Sequence, residues 1–141
     1  MLCACKGLDT EYLVFFDDDI FLHEFVIQEL VGSICNDSKT KVATGYSIEV
    51  PQTKNLVDYM LMVYRSINAL GFMTQRVNYV WGGCVCVPLV LFEELLVKDV
   101  WTDGGYSDDM LLGNVFKQAG YKIVAPTSVF FENRLRGQSI K

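Results

Sequence analysis

The sequence predicts a single α/β domain, a sandwich with a mostly parallel sheet flanked by helices. Three observations predict it. Strand-like and helix-like segments alternate along the chain, the pattern of layered α/β folds. The first apolar run, Tyr12-Leu-Val-Phe-Phe16, is continuous rather than alternating, as in a strand buried on both faces. The 141 residues are 51% hydrophobic and only 21% charged, ample core material for one domain. That composition excludes a disordered tail, a collagen-like repeat and a coiled coil.

The elements follow in order. The first strand ends abruptly in Asp17-Asp18-Asp19. Val26, Ile27, Leu30, Val31 and Ile34 then fall on one face at helical spacing. Residues 41–46 read as a second strand. Leu56, Tyr59, Met60, Val63, Ile67 and Leu70 give a second amphipathic helix. Residues 79–87 are strand-like with a Gly82-Gly83 interruption, and residues 91–97 form a short helix. Leu111, Leu112, Val115, Phe116 and Ala119 make a further helix, stopped by Gly120. Residues 121–125 and 128–131 are short strands. Nothing repeats and no Pro/Gly/Ser linker divides the chain, so residues 1–141 read as one domain. In such sheets ligands bind at the carboxyl ends of strands, where Asp17 to Asp19 stand.

Charge and cysteine usage narrow the class. The net charge is −5 and no basic stripe is visible, which argues against nucleic acid as a partner. An acidic chain still accepts an anionic ligand when a divalent cation lies between them. The five cysteines, Cys3, Cys5, Cys35, Cys84 and Cys86, are odd in number and spaced CxC, unlike a secreted disulfide framework. Cys84 and Cys86 lie in an apolar run and read as small buried hydrophobes. Four cysteines would suffice for zinc, but CxC is not the usual knuckle spacing. The reading is a reducing, cytosol-facing setting. Residues 1–12 lack the apolar core of a signal peptide. Residues 56–73 carry Asp58 and Arg65, each costing roughly 2.5–3.5 kcal/mol at a bilayer centre, and residues 80–92 are broken by Gly82, Gly83 and Pro88, so neither is a clear span.

Three constellations could carry chemistry. In an extended chain residues i and i+2 point to one side, so Asp17 and Asp19 could share one hard divalent cation through oxygen ligands. The competing use is a solvated acidic turn or helix N-cap. Glycines within the strand pattern at Tyr79-Val-Trp-Gly-Gly-Cys84 mark a bulge or a close backbone approach to a ligand. Trp81 beside them could stack on a sugar or sit in the core. In Asp103-Gly-Gly-Tyr-Ser-Asp-Asp-Met110, Ser107 could cap a helix with Asp108 and Asp109 in its first turn. There they either favour the helix dipole or poise a general base. His23, the one histidine, reads as a first-turn helix residue. Arg134 and Arg136 could meet phosphates or be a solvated tail.

Together these segments resemble the inverting nucleotide-sugar glycosyltransferases of the GT-A fold, and among them ceramide glucosyltransferase-like enzymes. The likeness rests on Phe15–His23 (FFDDDIFLH), Ala43–Tyr46 (ATGY), Trp81–Val87 (WGGCVCV) and Asp103–Met110 (DGGYSDDM). It implies that Asp17 and Asp19 hold Mn²⁺ or Mg²⁺ on the donor diphosphate. It implies Asp109 as catalytic base and Asp108 as support for its loop. It implies Trp81, Gly82 and Gly83 as the wall of the sugar and acceptor pocket, with Asp18 beside them. The partners it implies are a UDP-sugar donor and a ceramide-like lipid acceptor, in a parent protein at the Golgi or ER membrane with its catalytic domain facing the cytosol. The family's upstream uracil-reading βαβ segment, its (Gln/Arg)xxArgTrp motif and the membrane helices of the ceramide enzymes have no match here. Residues 1–141 are therefore expected to form a partial catalytic domain.

Two other classes compete. A haloacid-dehalogenase-like phosphatase also runs an apolar strand into DxD, with Asp17 as nucleophile and Asp19 as acid, but gives WGGC and DGGY no role. A truncated, inactive chain kept as a binding module is the non-enzyme reading.

Overall fold

The computed structural model describes residues 9–18, 20, 22–36, 38–51, 55–73, 80–95 and 108–135. Its elements are β1 (Tyr12–Phe16), α1 (Val26–Cys35), β2 (Thr40–Thr44), β3 (Tyr46–Pro51), α2 (Leu56–Met73), β4 (Cys84–Pro88), α3 (Leu89–Glu94), α4 (Asp108–Gln118), β5 (Lys122–Val124) and β6 (Phe130–Leu135).

Four strands form one sheet in the order β1-β4-β2-β5, and β3 pairs with β6 in a second, two-stranded sheet. The α/β class holds, but the main sheet is mixed rather than mostly parallel. β4 runs antiparallel to both its neighbours, β1 and β2, while β2 and β5 are parallel. β3 and β6 are parallel. The apolar pattern that announces a strand carries no information on its direction, so the expectation fails at this point.

Alternation explains why β1 and β4 read as continuous apolar runs. Leu13, Phe15, Val85 and Val87 enter one core with Val42, Leu112 and Phe116. Cys84, Cys86 and partly buried Val14 and Phe16 enter the other, with Val26, Leu30, Ile34 and Phe131. Successive strand side chains point to opposite faces, and here both faces are covered. α1 lies on one side, α3 and α4 on the other. Phe15 stacks on Phe92 of α3 with ring centroids 5.5 Å apart.

The single strand expected over 41–46 is two strands divided at Gly45. A Cβ at Gly45 would run into the Phe131 ring and stand 3.2 Å from Cys84 Cβ and Sγ. The bare backbone lets the chain leave the main sheet there and enter the second. α4 ends as expected at Gly120, whose φ is +82°. The Gly120 N–H donates to the Lys117 carbonyl and the Tyr121 N–H to the Phe116 carbonyl, closing the helix. α1 presents Val26, Leu30 and Ile34 inward but leaves Ile27 exposed.

Cys84 and Cys86 are fully buried and free, whereas Cys35 is exposed. Burial, first among the causes, pushes both buried thiols up to about 12. A raised folded-state pKa gives stability that is complete below the unfolded thiol range near 9 and is lost as pH climbs toward 12. The shifts of Tyr12, up to about 12 through its bond to Cys35, and of Tyr46, raised by burial, add in the same direction. The expected result is a denaturation midpoint that falls from pH 9 upward. In the native chain at neutral pH, iodoacetamide should label Cys35 and spare Cys84 and Cys86. Prompt labelling of Cys84 at neutral pH would contradict the buried placement. Cys3 and Cys5 lie outside the described residues, and the remaining cysteines form no metal-holding group with other His, Cys, Asp or Glu among the described residues.

Candidate active site

Three segments far apart in sequence meet at the Trp81-Gly82-Gly83-Cys84 turn. The first is the end of β1. Pairing of Phe16 with Cys84 brings the strand alongside β4, and the Asp17 N–H then donates to the Gly83 carbonyl at 3.2 Å. This leaves Asp17 at the carboxyl end of a buried strand with its side chain exposed. The second is the start of α4, which carries Asp109 in its first turn, partly buried. The third is the turn itself, closed by a bond from the Cys84 N–H to the Trp81 carbonyl at 3.1 Å.

The two glycines are cradles for the two carboxylates. A Cβ on Gly82 would overlap Asp109 Oδ1, with Asp109 Cγ at 3.0 Å and Oδ2 at 3.3 Å. A Cβ on Gly83 would stand 2.9 Å from Asp17 Oδ2 and collide with the Trp81 ring. Adjacent Cα atoms are about 3.8 Å apart, so both acids reach one short stretch of backbone. The glycines, expected to mark a bulge or a close approach to a ligand, stand in a turn ahead of β4 where the approaching groups are the protein's own acids.

Thr44, a residue to which sequence reasoning gave no role, holds the turn from behind. Its buried Oγ1 accepts the Trp81 N–H at 3.0 Å and donates to the Cys84 carbonyl at 2.8 Å. One hydroxyl thus clamps both ends of the turn. The signal available in sequence is a lone threonine, followed by glycine, in the otherwise apolar Val42-Ala-Thr-Gly45. Trp81 is half-buried, its ring 5.5 Å from Phe131 and tilted by 38°. Phe16 also meets Phe131, edge-on, with ring centroids 6.4 Å apart. An aromatic shelf therefore flanks the acidic turn. Burial pushes the Cys84 thiol up to about 12, and the charges of Cys86 and Asp17 act in the same direction.

The remaining candidates separate from this centre or fall outside what is described. Asp18 is exposed in the turn after β1. Asp108 opens α4, but its side chain, like that of Arg134, lies outside the described residues. Asp19, residues 103–107 with Ser107, and Arg136 lie outside them too. His23 is exposed with its ring 5.8 Å from Phe130, and it precedes the helix rather than joining its first turn.

Among the described residues no group of three His, Cys, Asp or Glu stands together to hold a metal. The donor chemistry nevertheless fits a hard cation. Asp17 offers carboxylate oxygen at an exposed strand end, and cations such as Mg²⁺ are commonly bound through one or two carboxylates plus phosphate oxygens and water. No protein-family model and no curated protein matches the chain.

Proposed function

We infer that this site belongs to a GT-A-like inverting glycosyltransferase. It would transfer a hexosyl unit, glucose by the resemblance, from a UDP-sugar to a lipid acceptor such as ceramide. The observation that carries the reading is the convergence of Asp17 and Asp109 on Gly82 and Gly83. One acid at a strand end and a second on a facing helix, with bare backbone between them, supply what a single displacement needs. The acids serve an anionic leaving group and a hydroxyl nucleophile, and the missing side chains let both carboxylates close on the same turn.

Asp109 takes the proton of the acceptor hydroxyl as that oxygen attacks the anomeric carbon from the face opposite the diphosphate. Attack from that face inverts the configuration. Asp17, with Asp19, would hold Mn²⁺ or Mg²⁺. Such a cation neutralises charge on the departing diphosphate. Trp81 offers the sugar or acceptor an apolar wall, backed by Phe131. Thr44 keeps the glycine turn fixed while the acids work.

Calorimetry with Mn²⁺ in the presence and absence of UDP tests the reading. Binding by the 141-residue chain should be weak with metal alone and should tighten when UDP is present. Asp17→Asn should remove that gain while leaving the thermal melt in place. Identical titrations for wild type and variant would end the assignment. Rapid hydrolysis of an aryl phosphate would instead favour the phosphatase reading.

A further inference from the structure

Thr44 closes β2 as one of the few polar side chains buried among the described residues, 1% exposed. The buried strand positions around it are filled by Val42, Val85 and Val87. Valine has the shape of threonine with a methyl group in place of the hydroxyl, so packing alone gives no reason for a hydroxyl here. A buried hydroxyl is costly unless it is hydrogen-bonded, and its bonds therefore state its purpose.

Those bonds do not weigh equally on the two halves of the glycine turn. A hydroxyl has one proton to give, and the closest acceptor is the Cys84 carbonyl at 2.8 Å, with the Gly45 and Trp81 carbonyls at 3.3 Å. The Cys84 carbonyl has a second donor, the Gly45 N–H at 3.2 Å. The Gly83 carbonyl is held by the Asp17 N–H, also at 3.2 Å. The Gly83-Cys84 half therefore keeps anchors of its own when the hydroxyl is removed. The Trp81 N–H does not: among the described residues its acceptor is Thr44 Oγ1, at 3.0 Å. A partly buried N–H that loses its acceptor turns toward water to recover one. Trp81 is joined to Gly82, on which Asp109 closes, whereas Asp17 closes on Gly83. We infer that Thr44 is a positioning residue for the base half of the site, Asp109 and the Trp81 wall, and not for the metal half at Asp17. This rests on the transferase reading and deepens it: a residue that touches no substrate governs the proton-accepting step separately from donor binding.

Thr44→Val, Thr44→Ser and Val42→Ala test the inference. On each, well below its melt, one measures amide hydrogen exchange at Trp81, hexosyl transfer from a UDP-sugar to a ceramide-like acceptor, and Mn²⁺–UDP affinity by calorimetry. Thr44→Val should speed exchange of the Trp81 N–H. Its turnover should fall at least about tenfold, since moving a reacting group by about 1 Å costs roughly a hundredfold. Mn²⁺–UDP affinity should hold, a split that general loss of structure does not produce. Thr44→Ser keeps the hydroxyl and should return both exchange and turnover to near wild type. Val42→Ala, at a buried apolar position of the same strand, should lower the melt and spare turnover. Wild-type turnover in Thr44→Val overturns the inference, as does a loss of Mn²⁺–UDP affinity equal to its loss of turnover. An equal fall in turnover for Val42→Ala overturns it too, because stability alone then explains the effect. If Thr44→Val does not fold, Thr44→Ser decides: normal turnover supports the hydroxyl, and lost turnover makes Thr44 a packing residue only. A wild type with neither sugar transfer nor a UDP-dependent gain in Mn²⁺ binding removes the transferase reading itself, and the positioning role with it.

Discussion

Asp109→Asn is expected to lower sugar transfer by roughly 10²–10⁴-fold, the usual contribution of a positioned acid or base. Asparagine keeps the shape of the side chain and its place over Gly82, but it cannot take a proton from the acceptor hydroxyl. UDP and Mn²⁺ affinity should barely change, because the acid assigned to the diphosphate end is Asp17, on the other glycine. Asp108→Asn should cost less, its proposed role being support of the loop. The competing account of Asp109 is electrostatic: an acid in the first turn of α4 favours the helix dipole by about 0.3–1 kcal/mol. On that account the variant loses a little stability and no chemistry. Turnover and donor affinity, measured on the same preparations with a melt beside them, separate the two. An Asp109→Asn protein with near-normal turnover removes the base assignment.

Parts of this arrangement are legible in sequence because a single local rule dictates them. Five apolar residues stopped by three aspartates fix β1 as Tyr12–Phe16 and put Asp17 at its carboxyl end. Gly120 ends α4 because only a residue free of Cβ strain adopts its φ readily. An irregularity at Gly82-Gly83 is also legible, through the break it makes in a strand pattern, but not that Asp17 and Asp109 are what approach it. What escapes is set by neighbours distant in sequence. The antiparallel course of β4 depends on which strands flank it. The strand break at Gly45 depends on Phe131, a residue of β6. Thr44 has a role only because Trp81 and Cys84 arrive beside it. α2 is the plainest instance: spacing marks its apolar stripe, yet periodicity alone does not say which side faces the body, and here the buried side carries Asp58.

Gly82→Ala and Gly83→Ala should fail in different ways, although the substitutions are neighbours and chemically identical. Among the described residues the glycine with a left-handed backbone is Gly120, so alanine at 82 meets no conformational penalty. Its methyl group instead claims the space of Asp109 Oδ1. That atom is the tip of a rotatable side chain, so the carboxylate swings aside and the fold stays. Stability should change by no more than about 1 kcal/mol, since no buried apolar group is lost. Turnover should nevertheless fall by roughly a hundredfold, the cost of displacing a reacting group by about 1 Å. At 83 the methyl group meets the Trp81 ring and Asp17 Oδ2. A ring packed 5.5 Å from Phe131 yields less easily than a carboxylate, so this variant should lose stability as well as affinity for Mn²⁺ with UDP. The contrast rests on which acid each glycine faces. If Gly82→Ala lost donor affinity while Gly83→Ala lost only turnover, the two roles would have to be exchanged. If both variants behaved as wild type, the convergence at this turn would be packing without chemistry.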